Sequence, residues 1–204
     1  MKNKKVLAFD LGRVLFDFDY NIALDKIKDK INVSIERVID ELFENDFGLN
    51  FEKGLVSADE FYSHFKSTFG AVLTYEHFCD VWCKIFSPKD KMINLVKRLK
   101  ADYPLYLISN INVLHFNYLY GEYPQVFSLF RELILSFKVK SVKPESLIYQ
   151  ALKDAAGVEF KDIIYIDDRE DLISKAKDFS LQCLQFTSFG QLLEDLKNLG
   201  ISAS

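Results

Sequence analysis

Lys5-Val6-Leu7-Ala8-Phe9-Asp10-Leu11-Gly12-Arg13-Val14-Leu15 runs apolar through Phe9, stops on a carboxylate and turns at a glycine. A simple core strand has no use for that charge, because a lone carboxylate taken out of water is costly unless something pairs with it or uses it. The same grammar returns at Ile163-Ile164-Tyr165-Ile166-Asp167-Asp168. Two apolar strands that end on carboxylates predict one acidic cluster at the C-terminal edge of a parallel sheet, where open α/β folds bind their ligands.

Between the two strands, residues from Asn21 to Ser87 read as helices and turns. Ile22, Leu24, Ile27 and Ile31 are spaced for one helical face, and Ser34 is placed to cap a helix over Ile35–Phe43. Ser57-Ala58-Asp59-Glu60 has capping-box spacing ahead of Phe61, Phe65 and Phe69, and Thr74 caps a segment with Phe78, Val81 and Trp82. The cap-side aromatics, Phe43, Phe47 and Phe51 among them, read as packing. No strand signal interrupts this stretch, which predicts a small helical unit inserted after the first strand.

Strands and helices then alternate. Ser87-Pro88 is expected to open a helix with Pro at its first position, followed by Met92, Leu95, Val96 and Leu99 on one face. Strands are predicted at Pro104–Ser109, Glu132–Phe137, Ile163–Asp167 and Leu181–Phe186. Helices are predicted near Val113–Tyr120, Pro144–Ala156, Arg169–Asp178 and Phe189–Leu199. This order argues for an α/β fold with a parallel sheet covered on both faces.

The 204 residues are 49% hydrophobic with 19 Phe, enough for a full core. A net charge of -4 without a basic block gives no reason to expect nucleic acid as a partner. No apolar run approaches the ~18 residues of a membrane span, and Met1-Lys2-Asn3-Lys4-Lys5 leads directly into a strand rather than a secretory leader. Cys79, Cys83 and Cys183 make no disulfide framework, and without a histidine–cysteine pair to complete a metal site they read as reduced thiols. A cytoplasmic protein is expected. His64, His77 and His115 have no ligand spacing and read as surface or satisfied core residues.

Four pieces fall at strand ends or just beyond: Asp10, Ser109-Asn110, Lys143-Pro144 and Asp167-Asp168. Asp10 can attack phosphorus and form an aspartyl phosphate. Carboxylate and phosphate repel, so a divalent ion is needed between them, and Mg²⁺ accepts carboxylate oxygens, phosphate oxygens and water. Asp168 and the Gly12 backbone carbonyl are the expected companions of Asp10 on that metal. Ser109, Asn110 and nearby N–H groups are placed to hold phosphate oxygens. Lys143 offsets charge on the phosphoryl group, and Asp167 holds Lys143 in place from behind.

The sequence resembles the haloacid dehalogenase (HAD) superfamily, and within it the sugar-phosphate (α-D-glucose-1-phosphate) phosphatase branch whose first motif reads Asp-Leu-Gly-Asn-Val. Here that motif is Asp10-Leu11-Gly12-Arg13-Val14. The others stand as Leu107-Ile108-Ser109-Asn110, Val142-Lys143-Pro144-Glu145 followed by Ile148-Tyr149, and Ile166-Asp167-Asp168. Glu122-Tyr123-Pro124 is a further shared detail of the branch. The resemblance implies a Rossmann-like core over residues 1–18 and 88–204, a helical cap over 19–87, Mg²⁺ dependence and an aspartyl-phosphate intermediate. It implies a phosphatase of small phosphorylated metabolites, sugar phosphates above all. The oligomeric state is not implied.

Three positions depart from the superfamily pattern. Gly12 stands where most of its phosphatases carry an aspartate that protonates the leaving oxygen, help commonly worth ~10²–10⁴-fold. Sugar 1-phosphates, with their better leaving group, are therefore the expected first choice. Leu172 stands where a polar residue usually supports metal-bound water, with Asp171 beside it as a possible substitute. Arg13 replaces a smaller residue, either adding charge near phosphate or pairing with an acid. Asp17 and Asp19 read as solvated turn or hinge acids rather than replacement proton donors. Two rival readings are a catalytically weak relative that binds a phosphometabolite or a protein, motivated by Gly12 and Leu172, and a 2-haloacid dehalogenase.

Overall fold

In the computed structural model, which describes residues 5–31, 33, 35–43 and 46–202, the first apolar run forms β1 (Val6–Phe9) at the centre of the molecule. A short β2 (Phe16–Phe18) leads into the helices α1 (Asn21–Ile27), α2 (Ile35–Phe43), α3 (Asp46–Glu52), α4 (Ala58–Phe69) and α5 (Tyr75–Cys83). The chain returns through β3 (Phe86–Pro88) to α6 (Asp90–Leu99), β4 (Leu105–Ser109), α7 (Val113–Glu122), α8 (Pro124–Phe127), β5 (Glu132–Leu135) and α9 (Ser136–Val139). It ends with α10 (Ser146–Ala156), β6 (Ile163–Asp167), α11 (Glu170–Asp178), β7 (Gln182–Gln185) and α12 (Phe189–Asn198).

The main sheet has the order β5-β4-β1-β6-β7 with every pairing parallel. Period-two alternation sends Leu7 and Phe9 to one face, where they pack with Leu95, Val96 and Leu99 of α6 and Leu192 and Leu196 of α12. Val6 and Ala8 face the other way, onto Ile148, Tyr149 and Leu152 of α10 and Ile173 and Ala176 of α11. The expected α/β fold is the one observed. The chain builds outward from β1 to β4 and β5, then crosses to β6 and β7. That reversal between β1 and β6 is a topological switch point, with its crevice at the C-terminal strand ends.

Helices α1–α5 bury a second core of their own, including Leu24, Ile27, Phe51, Phe61, Phe65, Phe69, Phe78 and Trp82. Both cap signals act as read. Ser57 Oγ accepts from Glu60 N at 3.2 Å while Glu60 Oε2 accepts from Ser57 N at 2.8 Å, and Thr74 Oγ1 accepts from His77 N at 3.2 Å. Ser34 and the side chains of Ile35 and Phe43 lie outside the described residues.

Several local expectations are corrected. Ser87-Pro88 opens no helix. It pairs antiparallel with β2, with Phe16 opposite Pro88 and Phe18 opposite Phe86, and α6 begins only at Asp90. A proline with no N–H is tolerated in such an edge ribbon. Ile22 points to solvent at 42% exposure while Ala23 takes the buried place, and a 3₁₀ turn at Lys28–Lys30 breaks the register before Ile31. The third strand stops at Leu135, because Ser136–Val139 coils into a helical turn.

Candidate active site

Asp10 follows β1 into the switch-point crevice, its N–H donating to Ile166 O of the neighbouring strand at 2.9 Å. Asp167 ends that strand. Lys143 Nζ lies between them, 2.6 Å from Asp10 Oδ1 and 2.6 Å from Asp167 Oδ2, and all three side chains are buried. A loop lysine reaches this point because Asn110, just past β4, grips its backbone. Asn110 Oδ1 accepts from Lys143 N at 2.7 Å, and its Nδ2 donates to Lys143 O at 3.1 Å. The Asn110 side chain is thus spent on positioning Lys143.

Asp167 is saturated. Besides Lys143 it accepts from the Tyr165 hydroxyl and, at 2.9 Å, from Arg169 N. Burial works against its charge, but these partners hold its carboxyl below the ordinary range. Burial likewise disfavours the Lys143 ammonium, and the two carboxylates more than reverse that, so the lysine stays charged. Asp10 goes the other way, with burial raising its carboxyl above the ordinary range against the pull of Lys143.

The carboxylates of Asp10, Asp167 and Asp168 lie within 4.8 Å of one another. With Asp167 committed, Asp10 and the half-buried Asp168 are the open pair, beside a cavity of about 170 Å³ that Gly12 also lines. The Gly12 carbonyl accepts from Val14 N at 2.6 Å and keeps a second lone pair. An all-oxygen donor set of this kind fits a hard cation such as Mg²⁺. Leu172, 2% exposed, lines the same cavity and offers no hydrogen bond there. Asp171 does not stand in for it, because its carboxylate is taken by Arg169 at 3.1 and 2.6 Å.

Ser109 is buried at the end of β4, with its Oγ 3.4 Å from Asn110 O. It lines a small adjoining cavity with Gly12, Asn112 and His115 rather than the one that Asp10 lines. Arg13 stacks its guanidinium 4.3 Å over Phe18 and lies 3.9 Å from Asp17, while its side chain still borders the site. Asp17 also pairs with Lys89 at 2.8 Å, whereas Asp19, whose Oδ1 accepts from Asn21 N at 2.9 Å, borders the space above the sheet edge.

Above the sheet edge, between it and the helical segment, lies a cavity of about 830 Å³. Its walls include Tyr20, Phe51, Glu52, Trp82, Asn112 and Arg169, so some aromatics read purely as packing also shape this space. The helical segment is clasped to the sheet edge just after α3. Ser136 Oγ donates to Glu52 O at 2.7 Å, Lys140 Nζ donates to Gly54 O at 2.5 Å, and Lys53 pairs with Glu145 at 2.5 Å. Glu52, Tyr20 and Arg169 went unnoticed in the sequence. The one local sign was a carboxylate and a glycine closing an apolar helix in Phe51-Glu52-Lys53-Gly54.

The parallel sheet with its reversal at β1 is the fold of solved HAD family enzymes, and a lysine is locked between two aspartates at its strand ends. The chain is 23% identical over 187 residues to D-ribitol-5-phosphate phosphatase of Bacteroides thetaiotaomicron, covering 89% of this chain and 91% of the relative. A solved HAD family enzyme from the same bacterium superposes with a TM-score of 0.84 at 24% identity, over 94% of this chain and 98% of that one. Its wild-type complex with magnesium and inorganic phosphate matches at TM-score 0.82 and 26% identity, over 93% and 98%. A HAD-like family hydrolase from Porphyromonas gingivalis gives a TM-score of 0.81 at 20% identity, over 98% of both chains. No protein-family model matches the chain.

Proposed function

We propose that this protein is a Mg²⁺-dependent phosphatase of small phosphorylated metabolites, with sugar and sugar-alcohol phosphates as its substrates. The observation that carries the reading is Lys143 held between Asp10 and Asp167 at the crevice, with Asp168 beside them and a cavity of about 830 Å³ above. In this reading residues 19–87 form a cap whose clasp orients the substrate and sheds water.

Asp10 attacks phosphorus and becomes an aspartyl phosphate while the alcohol leaves. Lys143, fixed by Asn110 and Asp167, stabilises negative charge on the phosphoryl oxygens, and backbone N–H groups after Ser109 complete the cradle. Water then attacks the same phosphorus and frees Asp10. Asp10, Asp168 and the Gly12 carbonyl would hold Mg²⁺, which offsets repulsion between carboxylate and phosphate. A dehalogenase would leave the Asp10–Asp168 pairing without a purpose.

The test is phosphate release from sugar 1-phosphates, sugar 6-phosphates, D-ribitol 5-phosphate and 4-nitrophenyl phosphate, with Mg²⁺ or EDTA. Sugar 1-phosphates lead the panel if Gly12 leaves the enzyme without a proton donor. Turnover should need the metal and fall to background in Asp10→Asn. Activity that persists in that variant places the nucleophile elsewhere.

A further inference from the structure

Gly12 leaves the proposed reaction without the carboxyl that would protonate the leaving oxygen, yet a carboxyl reaches the same space from above. Glu52, the last residue of α3, lines the large cavity, the small cavity that holds Asp10, Gly12 and Asp168, and the one beneath Ser109. Among the described residues it is the only acidic one that borders all three. Its backbone is pinned to the sheet edge through Ser136, so the side chain enters from a fixed point. It lies outside the cluster of Asp10, Asp167 and Asp168, where a fourth metal ligand would be found.

We infer that Glu52 is the proton donor to the leaving oxygen and, in the second half-reaction, the base that takes a proton from the attacking water. The inference rests on the phosphatase reading and extends it. With a donor in place, phosphates of ordinary primary alcohols, such as the terminal phosphate of a sugar alcohol, are substrates as well as sugar 1-phosphates. The Asp10–phosphorus bond forms as the bond from phosphorus to the alcohol oxygen breaks, and that oxygen keeps the electron pair and takes the proton of Glu52. Water oxygen next bonds to phosphorus, its proton returns to Glu52, and Asp10 leaves with its electron pair.

The surroundings suit a carboxyl that must carry a proton. Burial raises Glu52 above its ordinary value, and the cationic Arg169 and Lys143 only partly oppose this. Arg13, Asn110, Asn112 and the Tyr20 hydroxyl are further polar groups on walls shared by two or more of these cavities. Tyr20 stays protonated, held up by burial and by Glu52 itself.

The experiment compares Glu52→Gln with wild type on 4-nitrophenyl phosphate, phenyl phosphate and D-ribitol 5-phosphate, with Mg²⁺ present and folding checked by circular dichroism. The aryl pair differs little in size but widely in leaving-group basicity. A lost proton donor should lower kcat on the alcohol phosphate ~10²–10⁴-fold, lower phenyl phosphate by less, and change 4-nitrophenyl phosphate least. The alkaline limb of the wild-type pH profile on the alcohol phosphate should vanish in the variant. Equal losses on both aryl esters would reduce Glu52 to substrate recognition, and unchanged rates would remove it from the reaction; either overturns the inference while the phosphatase reading stands. A wild type that releases no phosphate from any of the three overturns both. Should Glu52→Gln not fold, Glu52→Asp gives the same comparison, with a smaller rate loss that again grows with leaving-group basicity.

Discussion

A buried lysine is stable only while its partners stay, and here one ammonium serves two carboxylates. Removing one member of a buried ionic group typically costs about 3–5 kcal/mol, because the remaining charges are left desolvated and unpaired. Lys143→Met should therefore destabilise the protein by about that much, leaving Asp10 and Asp167 to repel across the gap. Urea denaturation in EDTA measures it. A loss below ~1 kcal/mol would mean the lysine behaves as a solvated surface charge. Its neighbour Asn110 shows why residue roles are hard to read singly. The motif placed it against phosphate, whereas its side chain is occupied with the Lys143 backbone.

Among the elements, the junction after α3 packs closely against the sheet edge. Gly54 has φ +62°, and a Cβ there would come within 2.5 Å of Phe137 O and 2.9 Å of Lys140 Nζ. A left-handed conformation costs a non-glycine residue about 1–2 kcal/mol before any clash is counted. Gly54→Ala should loosen the clasp formed by Ser136, Lys140 and Lys53, and lower kcat/KM about tenfold, the equivalent of roughly 1.4 kcal/mol. Steady-state kinetics on the best substrate checks this, and an unchanged kcat/KM would show that the clasp plays no part in turnover. The β2–β3 ribbon belongs to the same scale. Its strands have three residues each, too short for a period-two pattern to show, and their pairing joins positions some seventy residues apart.

For the molecule as a whole, the two cores meet at His115, which sits on α7 against Trp82 of α5. Asn112 Nδ2 donates to His115 Nδ1 at 3.0 Å, so the proton resides on Nε2 and is donated to Trp82 O at 3.2 Å. Burial lowers this imidazole to about 4 from its ordinary 6.5, with the Trp82 carbonyl only partly opposing. The unfolded chain thus takes up the proton first, and stability from His115 is lost as pH falls from 6.5 towards 4. The gap is worth about 3 kcal/mol. Denaturation midpoints across that range should fall less steeply in His115→Gln than in wild type, and parallel curves would refute the assignment. The large-scale frame has no helix, among the described residues, long and apolar enough to cross a membrane.

The α/β order, the strands that end at Asp10 and Asp167, the capped helices at Ser57 and Thr74, and the placing of Lys143 ahead of a helix are all legible in the amino-acid sequence. Each follows from local chemistry: an apolar run, a hydroxyl three residues before an amide, or a glycine where a helix must stop. Tertiary structure alone decided which groups meet. It brought Asn110 to the Lys143 backbone, turned Asp171 to Arg169, and left Leu172 facing the acidic cavity. It also carried Glu52 from the far side of a helical insertion to the mouth of the site. Those outcomes depend on how a helical segment with its own core packs on a sheet edge, and periodicity along one helix says which face is buried but not against what.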